Sequence, residues 1–256
     1  MPVVAALLDS RPALLILRRT LAPDTRVVSC RASRALEQRL QSQLLDAVLL
    51  GRQALSGLDL TDLRARFPGI PLLGFAPFKP DQGAGLLAHL EAGRIAAVIV
   101  EGVDDAVAGD LVRRHAASRA RESALGEAPR LLRLSEPIQR DAWRLVIMAT
   151  GHPITTAEVA ARLGVTREHL SRQFGAGGAP NLKRVIDLLR VVYAAQLLGN
   201  PAYDTAAVAR LLRFASPSHL SAMARRICGE PASRLAAVGA RGILGGFLRG
   251  GMRSRS

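Results

Sequence analysis

The chain has 256 residues, with 35 Lys and Arg against 21 Asp and Glu, a net charge of +14, and 49% hydrophobic residues. That length accommodates about two ordinary domains. Residues 1–125 hold 16 basic against 13 acidic residues, whereas residues 126–256 hold 19 against 8, so the positive field belongs to the second half. A field of that sign attracts a polyanion. The N-terminus, MPVVAALLDSRPALLILRRT, lacks the layout of a signal peptide, and its apolar runs are too short to span a bilayer. A soluble cytoplasmic protein without membrane contact is therefore expected. Cys30 and Cys228 fall in different halves and make no metal spacing with the five histidines, so both read as reduced structural thiols.

Along the first 115 residues, short apolar runs alternate with helical segments. Val3–Leu8, Arg26–Cys30, Ala47–Leu50, Pro71–Phe75 and Ala96–Val100 have strand length. Arg11–Leu21, Ser33–Gln43, Thr61–Arg66, Gly83–Ala92 and Asp105–His115 have helical spacing. Apolar strands separated by amphipathic helices imply a parallel sheet covered on both faces by right-handed crossovers. The expectation is a doubly wound, five-stranded α/β domain over residues 1–118. Residues 119–136 are rich in Ala, Arg, Ser and Glu, contain Gly126 and Pro129, and read as a linker.

A helix from about Pro137 to Thr150 follows, then Gly151-His152-Pro153, and then a pattern that occurs twice. In TTAEVAARLGVTREHLSRQF, Val159, Ala160 and Leu163 form one apolar stripe. Gly164 permits a turn, Thr166 can cap the next helix, and Leu170 and Phe174 face back. In DTAAVARLLRFASPSHLSAMARRI, Val208, Ala209 and Leu212 repeat the stripe, Phe214 sits in the turn, Ser216 is a cap candidate and Pro217 suits a first helical position. Each copy is a helix-turn-helix, and two in tandem on a basic segment are hard to explain as core packing alone. Between them Asn181–Leu198 has no internal Gly or Pro and a helical apolar repeat. It would span roughly 27 Å, against about 34 Å between successive major grooves on one face of DNA. After Leu235 the Gly- and Arg-rich residues 236–256 are expected to be a disordered tail.

From Pro137 to Leu235 the chain resembles the DNA-binding domain of AraC/XylS-type transcription regulators. Ala160, Leu163-Gly164, Thr166, Leu170, Ser171-Arg172 and Phe174 fall at that family's spacing, and Arg190, Ala194 and Leu197-Leu198 match its linker-helix signature. The second copy departs from it: Arg213 stands where the family has Gly, Leu220 where it has an aromatic residue and Met223 where it has Phe. The resemblance implies a domain of helices with two helix-turn-helix motifs that binds double-stranded DNA. It turns Glu168, Ser171 and Arg172 toward base edges, with Arg167 and Gln173 beside them. Arg172 can pair bidentately with guanine and Glu168 can accept from cytosine. On the second reading helix the candidates are Ser218, Ser221 and Arg225, with Ala222 where Arg172 has its equivalent.

The α/β half resembles, in pattern, the receiver domain of response regulators. The third strand of that family ends in the phosphorylated aspartate, and here that place is Gly51. Asp9 and Ser10 follow the first strand, Ala76 stands where the family has a hydroxyl, and Glu101 where it has lysine. Phosphoryl transfer needs a carboxylate nucleophile, a metal-binding acidic cluster and a cation, so the domain is expected to work without aspartyl phosphorylation. The receiver resemblance implies a homodimer through Leu86–His115, and a protein partner is possible. No catalytic set, cofactor motif or metal site is evident, and an enzyme is not expected. The expectation is a sequence-specific DNA-binding transcription regulator of the atypical response-regulator kind. The alternative is an interaction adaptor that uses both domains without reading DNA.

Overall fold

The computed structural model describes residues 2–78, 80–149, 154–174 and 176–250. The chain falls into two compact units, one reaching Ala120 and including Asn200–Ala202, the other comprising Arg121–Gly199 and the residues from Tyr203 onward.

The first unit contains strands β1 (Val3–Leu7), β2 (Arg26–Ser29), β3 (Ala47–Leu50), β4 (Leu72–Ala76) and β5 (Ala97–Val100), and helices α1 (Arg11–Leu21), α2 (Ser33–Ser42), α3 (Arg52–Gly57), α4 (Leu60–Arg66), α5 (Pro80–Glu91) and α6 (Ala108–His115). The strands form one sheet in the order β2-β1-β3-β4-β5, and every neighbouring pair is parallel. This is the flavodoxin-like order, which receiver domains share. Strands β1, β3 and β4 are buried on both faces, to which successive side chains point alternately, whereas edge strand β2 has Arg26 and Ser29 exposed. Val4, Ala6, Ala47, Leu49, Leu73, Phe75 and Ile99 pack with Leu17 and Leu21 of α1 and Val112 of α6. Val48, Leu50 and Leu72, on the other phase of the alternation, are equally buried. Continuous apolar strands are the sequence mark of that double coverage. The α3 turn, Arg52–Gly57, was not expected, since RQALSG is too short for a helical period. The segment expected as a helix from Asp105 starts at Ala108 instead. Asp104 accepts from the Val100 N–H at 2.8 Å and Asp105 from the Gly102 N–H at 2.9 Å, so both carboxylates shape the turn after β5.

The second unit is helical. α7 (Ala117–Ala124), whose first turn belongs to the first unit, and α8 (Ala128–Leu131) precede α9 (Pro137–Met148), α10 (Thr156–Arg162), α11 (Arg167–Phe174), α12 (Leu182–Leu198), α13 (Thr205–Leu211), α14 (Pro217–Cys228) and α15 (Leu235–Arg249). The expected linker over 119–136 is therefore folded. Its Arg121 is 1% exposed. The guanidinium donates to Tyr193 Oη and Gln196 Oε1, both at 2.6 Å, and lies 3.6 Å from the centre of the Tyr193 ring. A charged group that deep needs such partners, and they lie some 70 residues away in sequence, where no local pattern announces them. Gly151-His152-Pro153 lies outside the described residues.

The expected disordered tail is likewise corrected. Residues 235–249 form α15, which packs on α12 and α14 and buries Ile243, Leu244 and Phe247. Residues 251–256 lie outside the described residues. Ile243 and Phe247 are four apart and share a helix face, and burial of each large side chain contributes roughly 1.5–3 kcal/mol. The Gly-rich composition that suggested disorder has a packing reason instead. A Cβ at Gly246 would lie 2.5 Å from the Cys228 carbonyl oxygen, so only glycine allows α15 this close to the end of α14. Gly246→Ala is expected to lower the stability of the full-length chain by about 1–3 kcal/mol, measured as a lower urea midpoint. An unchanged midpoint would show that α15 is not seated there.

Candidate nucleic-acid interface

α12 is apolar on nearly every side: Leu188, Leu189, Val191, Val192, Ala194 and Ala195 are all buried. A helix that is hydrophobic all round belongs in a core. Asn181 starts it by accepting from the Arg184 N–H at 2.9 Å. Helices α9, α13, α14 and α15 all pack against it.

The first helix-turn-helix is α10 and α11. Thr155 and Glu158 form a reciprocal capping box: the Thr155 hydroxyl accepts from the Glu158 N–H at 3.2 Å and the Glu158 carboxylate from the Thr155 N–H at 2.7 Å. Gly164 takes φ +68°, a left-handed conformation open to glycine, and the Thr166 hydroxyl caps α11 through the His169 N–H at 3.2 Å. Leu170 and Phe174 are buried against the motif, which leaves Arg167, Glu168, Ser171 and Arg172 exposed and Gln173 half-buried. The first four fall on one side of the helix by their spacing.

The far end of α11 is held by a residue that sequence reasoning missed. Gln139 of α9 is fully buried, and its amide nitrogen donates to the carbonyls of Gln173 and Phe174, both at 3.1 Å. Its amide oxygen accepts from the Glu136 N–H at 3.0 Å. A helix end leaves its last carbonyls without intrahelical donors, and here one side chain supplies both bonds. Glu136-Pro137 with Gln three residues after Glu136 was the available signal, as the mark of a helix start; the reach to α11 was not visible in it.

The second helix-turn-helix is α13 and α14. Asp204 caps α13 through the Ala207 N–H at 2.6 Å, and Ser216 caps α14 through the His219 N–H at 3.0 Å, with Pro217 at the first turn. The expected cap and proline positions are thus occupied as read. The turn contains Arg213 at φ +54°, in the conformation that Gly164 supplies in the first motif. Arg190 of α12 holds this turn from below: it donates to the Leu212 carbonyl at 3.2 Å and lies 4.2 Å from the centre of the Phe214 ring. Burial lowers the Arg190 guanidinium from its ordinary range, and the nearby Asp187 carboxylate opposes that shift. Asp187, itself buried, also receives Arg226 of α14 at 2.8 Å. His219 stacks edge-on against Phe214, with ring centres 5.6 Å apart.

On α14, Leu220, Met223, Ala224 and Ile227 are buried, whereas Ser218, Ala222 and Arg225 are exposed. Ser221 departs from its expected outward place. It is half-buried, and its hydroxyl accepts from the Ala232 N–H at 3.4 Å, in the turn before α15. That bond engages its oxygen with the domain's own backbone.

In the first unit, the strand ends that the receiver resemblance marks for phosphoryl transfer are differently furnished. A Cβ at Gly51 would come within 2.9 Å of Asp9, whose carboxylate occupies that space and accepts from the Gln53 N–H at 3.2 Å. Ser10 caps α1 through the Ala13 N–H and donates to Glu101 Oε1 at 3.1 Å. Among the described residues, no three of His, Cys, Asp or Glu are grouped to hold a metal ion, and no helix is long and apolar enough to cross a membrane. Cys30 and Cys228 are buried free thiols, both raised in pKa by that burial.

Residues 159–237 match a family model described as a helix-turn-helix domain, of the AraC type. No curated protein matches the chain significantly. Solved structures with some likeness include a response regulator from Thermotoga maritima, at 15% identity and TM-score 0.39 over 44% of this chain and 96% of that one. The response regulator StyR covers 72% of this chain and 96% of its own at 17% identity and TM-score 0.39. Full-length FixJ from B. japonicum covers 87% and 95% at 14% identity and TM-score 0.39. Such scores are low, and the receiver-like character of the first unit stands on its strand order. The class defined is thus a receiver-like α/β unit followed by a helix-turn-helix unit. Within that class, the second unit carries an AraC-type DNA-binding domain, the domain of a transcription regulator.

A non-glycine residue in the left-handed region costs of order 1–3 kcal/mol, offset in part by the higher chain entropy that glycine would bring to the unfolded state. Arg213→Gly is therefore expected to stabilise the chain by about 1 kcal/mol, seen as a higher urea midpoint. A lower midpoint would show that the Arg213 side chain contributes more than its backbone costs.

Proposed function

We propose that the chain is a sequence-specific transcription regulator that takes its base recognition from α11 and uses α14 mainly to position itself on DNA. The observation that carries this reading is the difference between the two exposed helix faces. α11 offers Arg167, Glu168, Ser171 and Arg172, which can reach phosphate and base edges. α14 offers Ser218, Ala222 and Arg225, small groups and one cation, with Ser221 engaged elsewhere. Arg172 pairs with guanine in this reading and Glu168 accepts from cytosine, while Gln173 lies half-buried at the edge of the face. Arg225 contacts phosphate.

The receiver-like unit, in the same reading, acts without aspartyl phosphate. Gly51 has no nucleophile, and Glu101 places negative charge where an incoming phosphoryl group would require a cation. Its role is to hold a second copy of the chain through Leu86–His115. Leu87, Val103 and Val107 in that segment are 53%, 76% and 47% exposed, an apolar presence that supports a protein contact.

The test uses a duplex selected from a random pool, compared with unselected duplex, by fluorescence anisotropy. Arg172→Ala is expected to weaken binding to the selected site about 5- to 150-fold, the range for one bidentate base contact, with a much smaller loss on unselected duplex. An equal loss on both would show a phosphate contact alone and overturn base reading by Arg172.

A further inference from the structure

Strand β2 forms one edge of the sheet, and its outer side has no neighbouring strand among the described residues. The N–H groups of Arg26 and Cys30 donate to the carbonyls of Pro2 and Ala6, at 2.9 and 2.8 Å, so they face β1. Alternate residues of a strand bond to opposite sides, which turns the N–H and C=O groups of Val27 and Ser29 to the open edge. Such an edge is a template for a further strand. Residues 10–40, running from α1 through β2 to α2, hold seven arginines against Asp24 and Glu37, and all seven arginines are exposed. On α1, Thr20 packs on α6, whose Arg113 donates to the Thr20 carbonyl at 3.1 Å and whose Gly109 lies against it. At 3.6 residues per turn, Arg11 and Arg18 fall on the opposite side of the helix, toward β2. On α2, Glu37 turns to Arg66 of α4 at 3.8 Å, and Arg39 falls on the other side, again toward β2. Its charge reaches Cys30 at the end of the strand, where burial raises the thiol pKa and Arg39 opposes that rise. Arg26 stands on the strand itself. Arg11, Arg18, Arg26 and Arg39 have no hydrogen-bond or ion-pair partner among the described residues.

From this arrangement we infer that the β2 edge is a docking site for an acidic, extended segment of another protein, which adds to the sheet as a strand beside Val27–Ser29. Main-chain bonds to Val27 and Ser29 hold the segment in register, and its carboxylates lie among arginines on both flanks, each guanidinium offering the fork of donors that a carboxylate fits. Leu15, 55% exposed on the same side of α1 between Arg11 and Arg18, gives an apolar side chain of the segment a contact. A second copy of this edge is a poor occupant, because pairing would bring like charges together. Nucleic-acid phosphates would meet the arginines but would leave the backbone groups of Val27 and Ser29, and Leu15, without a counterpart. The edge belongs to the first unit and lies outside Leu86–His115, so this inference can fail without the DNA reading failing, and the reverse.

The probe is a peptide of alternating Glu and Val, titrated into the ¹⁵N-labelled full chain and followed by amide chemical shifts. It is expected to shift the amides of Val27 and Ser29 saturably. The same peptide with Lys in place of Glu, and the Glu peptide with every amide N-methylated, are each expected to bind at least about tenfold more weakly. Arg18→Glu combined with Arg39→Glu changes two exposed side chains and is expected to weaken the Glu peptide by at least about tenfold. Ser29→Pro removes an outward N–H at an edge position where proline is tolerated, and is expected to weaken it likewise. The two altered peptides carry the test on the unaltered chain if either variant does not fold. The site is overturned if the Glu peptide gives no saturable shifts at Val27 and Ser29, or binds the double variant as tightly as the unaltered chain. Equal binding of the Lys peptide would overturn the acidic partner, and equal binding of the N-methylated peptide would overturn strand addition. Random duplex DNA that shifts the same two amides at lower concentration than the peptide would assign the surface to nucleic acid and overturn the protein occupant.

Discussion

Arg190 and the helix that carries it set the terms for the DNA-binding unit. α12 is a buried rod, and the second helix-turn-helix is fastened to it at a strained turn, Leu212-Arg213-Phe214. There the backbone takes a left-handed conformation without glycine. The carbonyl just before it accepts from Arg190, and the aromatic ring just after it lies under the same guanidinium. One cation thus fixes both sides of the turn. The Asp187–Arg226 pair, on the same two elements, fixes the reading helix beyond it. Because Asp187 is buried while Arg226 is 56% exposed, the cost of breaking that pair lies in the carboxylate left behind when Arg226 is removed.

The first motif is held by a different device. Its turn has the glycine that the conformation favours, and its reading helix is anchored from α9 through Gln139, a neutral amide that spends its donors on the last carbonyls of α11. The two motifs therefore share a backbone plan and differ in what stabilises them. The first keeps its exposed side chains for a partner. In the second, Ser221 is drawn into the fold by the turn that leads to α15, and small residues occupy much of the remaining face. The unequal reading helices and the unequal supports are two aspects of one asymmetry.

Local pattern made most of the architecture legible. The inner strands announced themselves as continuous apolar runs, because double coverage of a parallel sheet leaves no polar phase, whereas β2 at the edge has only Val27-Val28 between exposed Arg26 and Ser29. The caps at Thr166 and Ser216 were readable because capping acts over three residues. What escaped were features made by distant partners. Arg121 looked like a linker residue until Tyr193 and Gln196 were found around it. The Gly-rich C-terminal segment looked disordered because glycine is read for its entropy, whereas here Gly246 is present for the room it leaves beside Cys228. Gln139 was unremarked since nothing in the sequence of α9 indicates which helix end lies above it. Ser221 had the spacing of a reading residue, and only the backbone of Ala232 revealed its other engagement.

In the proposed function, two helix-turn-helix units, the first seated on α9 and the second on α12, meet DNA unequally. Footprinting on a selected duplex, combined with guanine methylation interference, tests it most directly. Two protected stretches are expected on one face of the DNA, about one helical turn apart, with interference at guanines in one stretch alone and relieved there by Arg172→Ala. A single protected stretch, or guanine interference of equal strength in both, would contradict it.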